Sequence, residues 1–353
     1  MSHMSESLVI RGPGQLDLEA LPVQAPAENE LIVDIKLGGI CGSDLHYWKH
    51  GSSGASVLTD PMILGHEVVG IVQQAAADGA GPTAGTPVAI HPATSCGTCA
   101  QCTAGRSHLC LDGRYLGSAA HRPHTHGGFT TSMVVPRRNV RPLPEGVPLE
   151  HFAMAEPASV AWHAVNRAGS VTGRRILVIG AGPIGLAIVA VLRLRGAGEI
   201  VVSDLFPRPL DTARRLGADR TTSPGEPGGE ETNVDFDTTF ECSGTPAGLS
   251  QAVEATRGGG DVVMVGNQRV GDVPFPAARA ISKELRISGS WRFQNEFDEV
   301  VQALASGQLD LTPIITHIID WSDYNRAFEL ASRPSESSKV LLAIGPRHQV
   351  DAK

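Results

Sequence analysis

Ile176–Leu192, "ILVIGAGPIGLAIVAVL", runs for seventeen residues without an acid or a base. A membrane span needs about 20 such residues. Three glycines and a proline interrupt this one near its start, so it reads as a buried strand running into a buried helix. The strand covers Arg175–Ile179, and the helix "IGLAIVAVLRLRG" runs to about Gly196. A second apolar run, "EIVVSD", predicts a strand ending at Asp204. Beyond it the pattern predicts a helix from about Pro207 to Leu216 and a short strand near Arg220–Thr222. The proline- and glycine-rich loop "SPGEPGGEETN" leads to the strand "DFDTTFECSG", in which Cys242 reads as a packed side chain. A helix from about Pro246 follows, then a strand over Asp261–Gly266 and a strand "LRISGS" ending at Ser290. Alternating strands and helices imply a parallel sheet, and six strands make a doubly wound one.

The junction of the first strand and helix carries Gly180-x-Gly182-x-x-Gly185. The glycines permit a tight turn, close approach of a pyrophosphate to the backbone, and tight helix–strand packing. The pyrophosphate would sit on the helix N-terminus, where unpaired N–H groups point outward. Such a motif alone is weak; here it follows a strand, opens a helix and precedes a strand-terminal acid nineteen residues on, which makes it specific. Gly180, Gly182, Pro183, Ile184, Gly185, Asp204, Arg208 and Val265 are the candidate dinucleotide contacts. Asp204 suits the ribose hydroxyls of NAD. Arg208, four residues on, suits the 2′-phosphate of NADP, so NADP stays open. Asp204 also fits a plainer role, capping the helix that begins near Pro207.

Four of the six cysteines lie within seventeen residues, "TSCGTCAQCTAGRSHLC". Cys96, Cys99, Cys102 and Cys110 are spaced C-x2-C-x2-C-x7-C, and Gly97 and Gly105 supply turns. The spacing suits a closed, four-thiolate structural zinc site. A ferredoxin-type cluster fits less well, because seven residues precede the fourth cysteine and Leu111 rather than proline follows it. Elsewhere Cys41 in "GGICGSDLHYW", His66 and Glu67 in "LGHEVVG" and Glu156 in "AEPASVAWHA" could form a three-ligand site with an open fourth position, the usual form of catalytic zinc. Taken singly, these residues read more readily as a small buried thiol and solvated acids.

Composition narrows the class. The 353 residues suggest two domains. A net charge of -8 argues against a nucleic-acid partner. "MSHMSES" reads as an expression scar, and no apolar secretory stretch follows it, so a cytoplasmic location and reduced thiols are expected.

The landmarks "CGSDLH", "GHEVVG", the four-cysteine loop, "AEPASVAWHA" and "GAGPIG", in that order, resemble the zinc-containing medium-chain alcohol dehydrogenases. The resemblance covers nearly the whole chain. It implies a GroES-like β-barrel catalytic domain (1–154, with a structural zinc lobe at about 91–113), a Rossmann domain (155–291) and a C-terminal return to the catalytic domain (292–353). It also implies two zinc ions per chain, NAD and a homodimer or homotetramer. Glu156, where classical members carry cysteine, is similar to the sorbitol dehydrogenase branch. Within it, "RYLGSAAHRPHTHGGFT" and "SGSWRFQNEF" look most like the L-idonate 5-dehydrogenase subfamily, with sorbitol or xylitol dehydrogenases as the alternative.

The implied reaction moves a hydride between a secondary alcohol and a nicotinamide. Ser43 and His46 match a hydroxyl-to-imidazole proton relay; a turn serine and a surface histidine are the plainer readings. His66 and Glu67 can share an ion only if the chain kinks at Gly65, because adjacent side chains on an extended strand point apart. Otherwise Glu156 ligates and Glu67 stands behind it. Arg292 matches a substrate-contacting arginine and suits a carboxylate, with a structural ion pair as the competing role. His121, His124 and His126 read as loop residues near a cleft entrance. The fold also supports zinc-free reductases and non-catalytic members, but this chain keeps both ligand sets.

Overall fold

A computed structural model of the chain describes residues 4–224 and 235–345. The chain divides into two compact units. The first comprises residues up to Glu156 with Ile315–Ser332 and the segment from Lys339; the second comprises Pro157–Ile314 with Arg333–Ser338. This division counts the helix Glu296–Ala305 with the second unit, whereas the family resemblance implies a return at 292. The reason is packing: His163, Asn166 and Glu296, all in that unit, are hydrogen-bonded to one another.

The first unit is built on a seven-stranded sheet. Its order is Val140–Pro142, Pro87–Ile90, Glu67–Gln74, Glu30–Gly39, Lys339–Ala343 and Ile315–Asp320, with Ser132–Pro136 also paired to Glu30–Gly39. Alternation dictates the faces: Leu31, Val33 and Ile35 are each at most 1% exposed and join one apolar core with Val68, Phe129, Phe328 and Leu342. Two of the seven strands come from the far end of the chain. Leu341 pairs with Gly39, and Gly39 pairs with Glu67, so the C-terminal segment lies beside the N-terminal strands.

Residues from Met4 onward, read from the sequence as a scar, are part of the folded unit. Met4–Gly12 is a strand paired with Gln15–Pro22. Ser5 and Ser7 are buried and hydrogen-bond to the Thr130 hydroxyl at 2.6 and 2.8 Å.

The second unit holds a six-stranded parallel sheet ordered Arg220–Thr222, Glu199–Ser203, Arg175–Ile179, Phe236–Glu241, Thr256–Met264 and Arg286–Gly289. In order of appearance that is 3-2-1-4-5-6, the doubly wound arrangement expected from the alternating pattern. The fifth strand begins earlier than the apolar run suggests, at Thr256, which pairs with Phe236. The uncharged stretch forms the strand Arg175–Ile179 and the helix Pro183–Leu194, buried from Gly185 to Leu192. Among the described residues no helix is long and apolar enough to cross a membrane. Most of the loop "SPGEPGGEETN", residues 225–233, lies outside the described residues.

Candidate active site and metal centres

The four-cysteine loop closes on itself. Its thiols are unpaired, and their sulfur atoms all lie within 4.8 Å of one another. Four sulfur–sulfur distances run 3.4–3.9 Å. A tetrahedron with metal–sulfur bonds of about 2.3 Å has edges of about 3.8 Å, so the loop fits a zinc ion. Gly97 and Gly105 take φ of +77° and +74°, which lets so short a segment wrap. Backbone N–H groups of Thr98 and Cys99 pull the Cys96 thiol down to about 6, toward the thiolate a metal needs.

The second set lies in the first unit. Cys41 caps the helix Gly42–His50. His66 precedes the strand Glu67–Gln74, and Gly65 before it has φ +93°. A Cβ at Gly65 would stand 2.2 Å from the Phe129 ring, so only glycine makes this kink. The kink brings ligand atoms of His66 and Glu67 within 4.8 Å of each other and of Cys41. Gly39, opposite Glu67 in the sheet, leaves the carboxylate room: a Cβ there would meet Glu67 Oε2 at 2.1 Å. Glu156 lies in the first turn of the helix Ala155–Arg167 and is buried; among the described residues the mutual 4.8 Å group comprises Cys41, His66 and Glu67.

Three buried residues that the sequence pattern does not single out order this site. Asp44 is fully buried; its oxygens accept from Cys41 N at 2.9 Å and Gly65 N at 3.2 Å, and one lies 4.0 Å from His66 Nδ1. It ties the cysteine loop to the histidine loop. Tyr115 packs edge-on against His66, and its hydroxyl donates to Glu156 Oε1 at 2.5 Å. Lys339 donates to both oxygens of Glu67 at 2.7 and 2.6 Å and to the Ile40 carbonyl at 3.2 Å. Asp44 has a local signal, three residues after Cys41 within "CGSDLH"; Lys339 has none.

The electrostatics suit a cation. Burial opposes protonation of His66, but Cys41, Asp44 and Glu156 outweigh it and raise the imidazole well above its usual value. Burial likewise pushes the Glu156 carboxyl up, against the pull of His66. A pocket that concentrates a proton this way, lined by thiol, imidazole and carboxylate, is chemically matched to zinc.

Ser43 is half-buried and His46 exposed on the same helix, and no hydrogen bond joins them; His46 is pulled down by burial and by His50, 5.8 Å away ring to ring. His124 Nδ1 bonds the His121 carbonyl at 2.8 Å, and its Nε2 accepts from Thr59 N at 3.0 Å. His126 accepts from Ile63 N, and His121 bonds the Gly113 carbonyl. These three histidines order loops.

At the glycine motif, Gly180 has φ +93°, and a Cβ at Gly185 would lie 1.9 Å from the Gly180 carbonyl. Gly182, the cap of the helix Pro183–Leu194, differs: a Cβ there meets nothing within 4 Å. The helix N-terminus is open where a pyrophosphate would approach. Asp204 follows the strand Glu199–Ser203, and its carboxylate accepts from Ala181 N at 2.7 Å and Phe206 N at 2.9 Å. It therefore braces the glycine loop and the start of the helix Pro207–Arg215 in addition to any ribose contact. Arg208 is exposed on that helix; Val265, past the fifth strand, donates its N–H to the Glu241 carbonyl at 2.8 Å. Arg292 is half-buried, with its guanidinium 5.2 Å from the Trp291 ring centre.

A sheet of this order with an open glycine turn, in a chain whose other unit holds two zinc-type ligand sets, defines a nicotinamide-dependent, zinc-binding dehydrogenase. Residues 27–145 match the alcohol dehydrogenase GroES-like domain and residues 183–306 the zinc-binding dehydrogenase domain, and the chain belongs to this alcohol dehydrogenase family. It is 37% identical to the L-idonate 5-dehydrogenase (NAD(P)(+)) of Escherichia coli, over 90% of this chain and 92% of that one. The crystal structure of L-idonate 5-dehydrogenase from that species superposes with a TM-score of 0.93, covering 98% and 99% of the two chains at 35% identity. Sorbitol dehydrogenase of Gallus gallus is 34% identical over 97% of each chain. A short chain alcohol dehydrogenase from E. coli complexed with NADH superposes with a TM-score of 0.87 at 30% identity, covering 98% and 100%.

Proposed function

We propose that this oxidoreductase interconverts L-idonate and 5-keto-D-gluconate, the C5–H bond giving a hydride to NAD while the C5 hydroxyl gives up its proton. The observation that carries the reading is the likeness to the E. coli L-idonate 5-dehydrogenase in both sequence and backbone, at a TM-score of 0.93. Arg292 supports it, because a guanidinium binds a carboxylate bidentately. The second reading is a sorbitol or xylitol dehydrogenase, favoured by the 34% identity to an avian sorbitol dehydrogenase.

Cys41, His66 and Glu67, with Glu156 close by, would hold the catalytic zinc; Cys96, Cys99, Cys102 and Cys110 would hold a structural one. Bound zinc lowers the pKa of water from about 15.7 to about 7, and an alcohol oxygen should respond in the same direction, yielding the better hydride donor. The protein's part is to orient that oxygen and carry its proton away. Ser43 would accept that proton while giving its own onward through an intervening hydroxyl or water, and His46, exposed to solvent, would release it. Glu156, restrained by Tyr115, would orient a water. Gly182 and the helix behind it take the pyrophosphate, and Asp204 takes the ribose.

The protein acts in the cytoplasm as a homodimer or homotetramer. The strand Arg286–Gly289 supports association, since it ends the parallel sheet with one side unpaired among the described residues. Ile281 and Trp291 flank it and are 76% and 50% exposed.

A panel of aldonates and neutral polyols, read by NADH absorbance, tests the substrate. Idonate should exceed every polyol in kcat/KM; strong sorbitol turnover without idonate turnover would overturn the assignment. His66→Ala and Cys41→Ala should abolish turnover yet retain NADH binding, and substantial residual activity in either would remove the metal assignment.

A further inference from the structure

Between the last strand of the parallel sheet and the helix Glu296–Ala305 runs "SWRFQN", Ser290–Asn295. Its backbone is unusual. Arg292 has φ +54°, a region that glycine takes readily and other residues seldom do. Among the described non-glycine residues, Glu284 alone shares a positive φ with it. Residue type does not favour it, because arginine has no short polar group to bond its own backbone as asparagine or aspartate does.

The surroundings impose it. Phe293 is buried and stacks on Phe297, with ring centres 5.7 Å apart. Gln294 N donates to Glu296 Oε2 at 2.6 Å. Glu296 Oε1 meets His163 Nδ1 at 2.8 Å and accepts from Asn166 Nδ2 at 3.2 Å. At the other end, Arg167 Nε donates to the Gly289 carbonyl at 3.3 Å. His163, Asn166 and Arg167 stand at i, i+3 and i+4 on the helix Ala155–Arg167, so they share one face. That face holds the segment at both ends while Phe293 pins its middle, and the turned backbone at Arg292 lies between. Backbone conformations that persist only because their surroundings over-determine them concentrate at ligand clamps.

We propose that Glu296, with His163, Asn166 and Arg167, positions Arg292 so that the enzyme selects a carboxylate-bearing substrate over a neutral polyol. This rests on the reading of Arg292 as the carboxylate contact. A bidentate contact tolerates little misplacement. Releasing the segment lets Arg292 relax to negative φ, which redirects its side chain. A neutral polyol has no carboxylate to lose.

The test is steady-state kinetics of the zinc-loaded enzyme with L-idonate and with the best neutral polyol of the panel. Glu296→Ala should lower kcat/KM for idonate at least tenfold, chiefly through KM, and change the polyol less than threefold. The exposed pair Asn166→Ala/Arg167→Ala should move idonate the same way by a smaller factor, and it carries the test if Glu296→Ala does not fold. In an Arg292→Ala background, Glu296→Ala should cost idonate nothing further, since both act through one group. Arg292→Gly should melt above Arg292→Ala, because glycine accepts the positive φ. Equal losses on both substrates from Glu296→Ala, or an undiminished loss in the Arg292→Ala background, would overturn the positioning role alone. If Arg292→Ala itself spared idonate or harmed both substrates equally, the carboxylate reading would fall, and the proposal with it.

Discussion

Lys339 grips both carboxylate oxygens of Glu67 across 272 residues of sequence, at 2.7 and 2.6 Å. Both side chains are almost wholly buried, at 2% and 1% exposure. Taking two charges out of water is costly unless each satisfies the other. Here the ammonium also reaches the Ile40 carbonyl, next to Cys41. The pair ties the C-terminal strand to the strand that carries the metal-binding set.

In the metal-free protein Lys339→Met should therefore be destabilising by about 3–5 kcal/mol, because it leaves Glu67 buried and uncompensated. Adding Glu67→Gln should recover a large part of that loss, although turnover would not return. Urea denaturation of the two single variants and the double variant measures this. Additive losses would show that the two charges do not depend on each other.

Cys99→Ser should lower zinc content from two ions per chain toward one. It should cost melting temperature more than turnover, since a structural site contributes folding energy and not chemistry. Elemental analysis with thermal denaturation checks this, and an unchanged zinc content would remove the four-thiolate site.

Stability should fall in acid through Glu296. Burial would raise its carboxyl, but the bonds from His163 and Gln294 outweigh burial and hold it down at about 2. A depressed carboxyl contributes stability above the unfolded pKa of about 4.3 and loses it as pH falls toward 2. With solvent screening the contribution is about 1–2 kcal/mol. Glu296→Gln should thus flatten the stability profile between pH 4.5 and 2, and an unchanged slope would count against the pair.

NAD should be preferred over NADP by at least tenfold. Two unit charges about 4 Å apart repel by roughly 1 kcal/mol in water and about 4 kcal/mol near a protein surface, and 1.4 kcal/mol is about tenfold. Asp204→Asn is the better probe than alanine, because the amide oxygen can still accept from Ala181 N or Phe206 N. The ratio of kcat/KM for the two cofactors should fall about tenfold in that variant. A wild-type preference for NADP would defeat the assignment.

Features that depend on near neighbours were legible in the sequence. The strand Arg175–Ile179, its glycine turn and the helix Pro183–Leu194 follow from an apolar run broken by Gly180, Gly182 and Gly185, since strand, turn and helix are all set within a few residues. The four thiols converge within fifteen residues because the loop is too short to do otherwise once its glycines turn. The kink that brings His66 beside Glu67 also had its local sign in Gly65. Tertiary structure alone decided what stands behind those groups. That Lys339 neutralises Glu67, that Tyr115 restrains Glu156, and that one face of a helix holds the Arg292 segment all depend on sheet register and on packing between distant segments. A buried lysine carries no mark in sequence. Its partner is chosen when Leu341 pairs with Gly39 and Gly39 with Glu67, and that pairing exists only in the folded sheet.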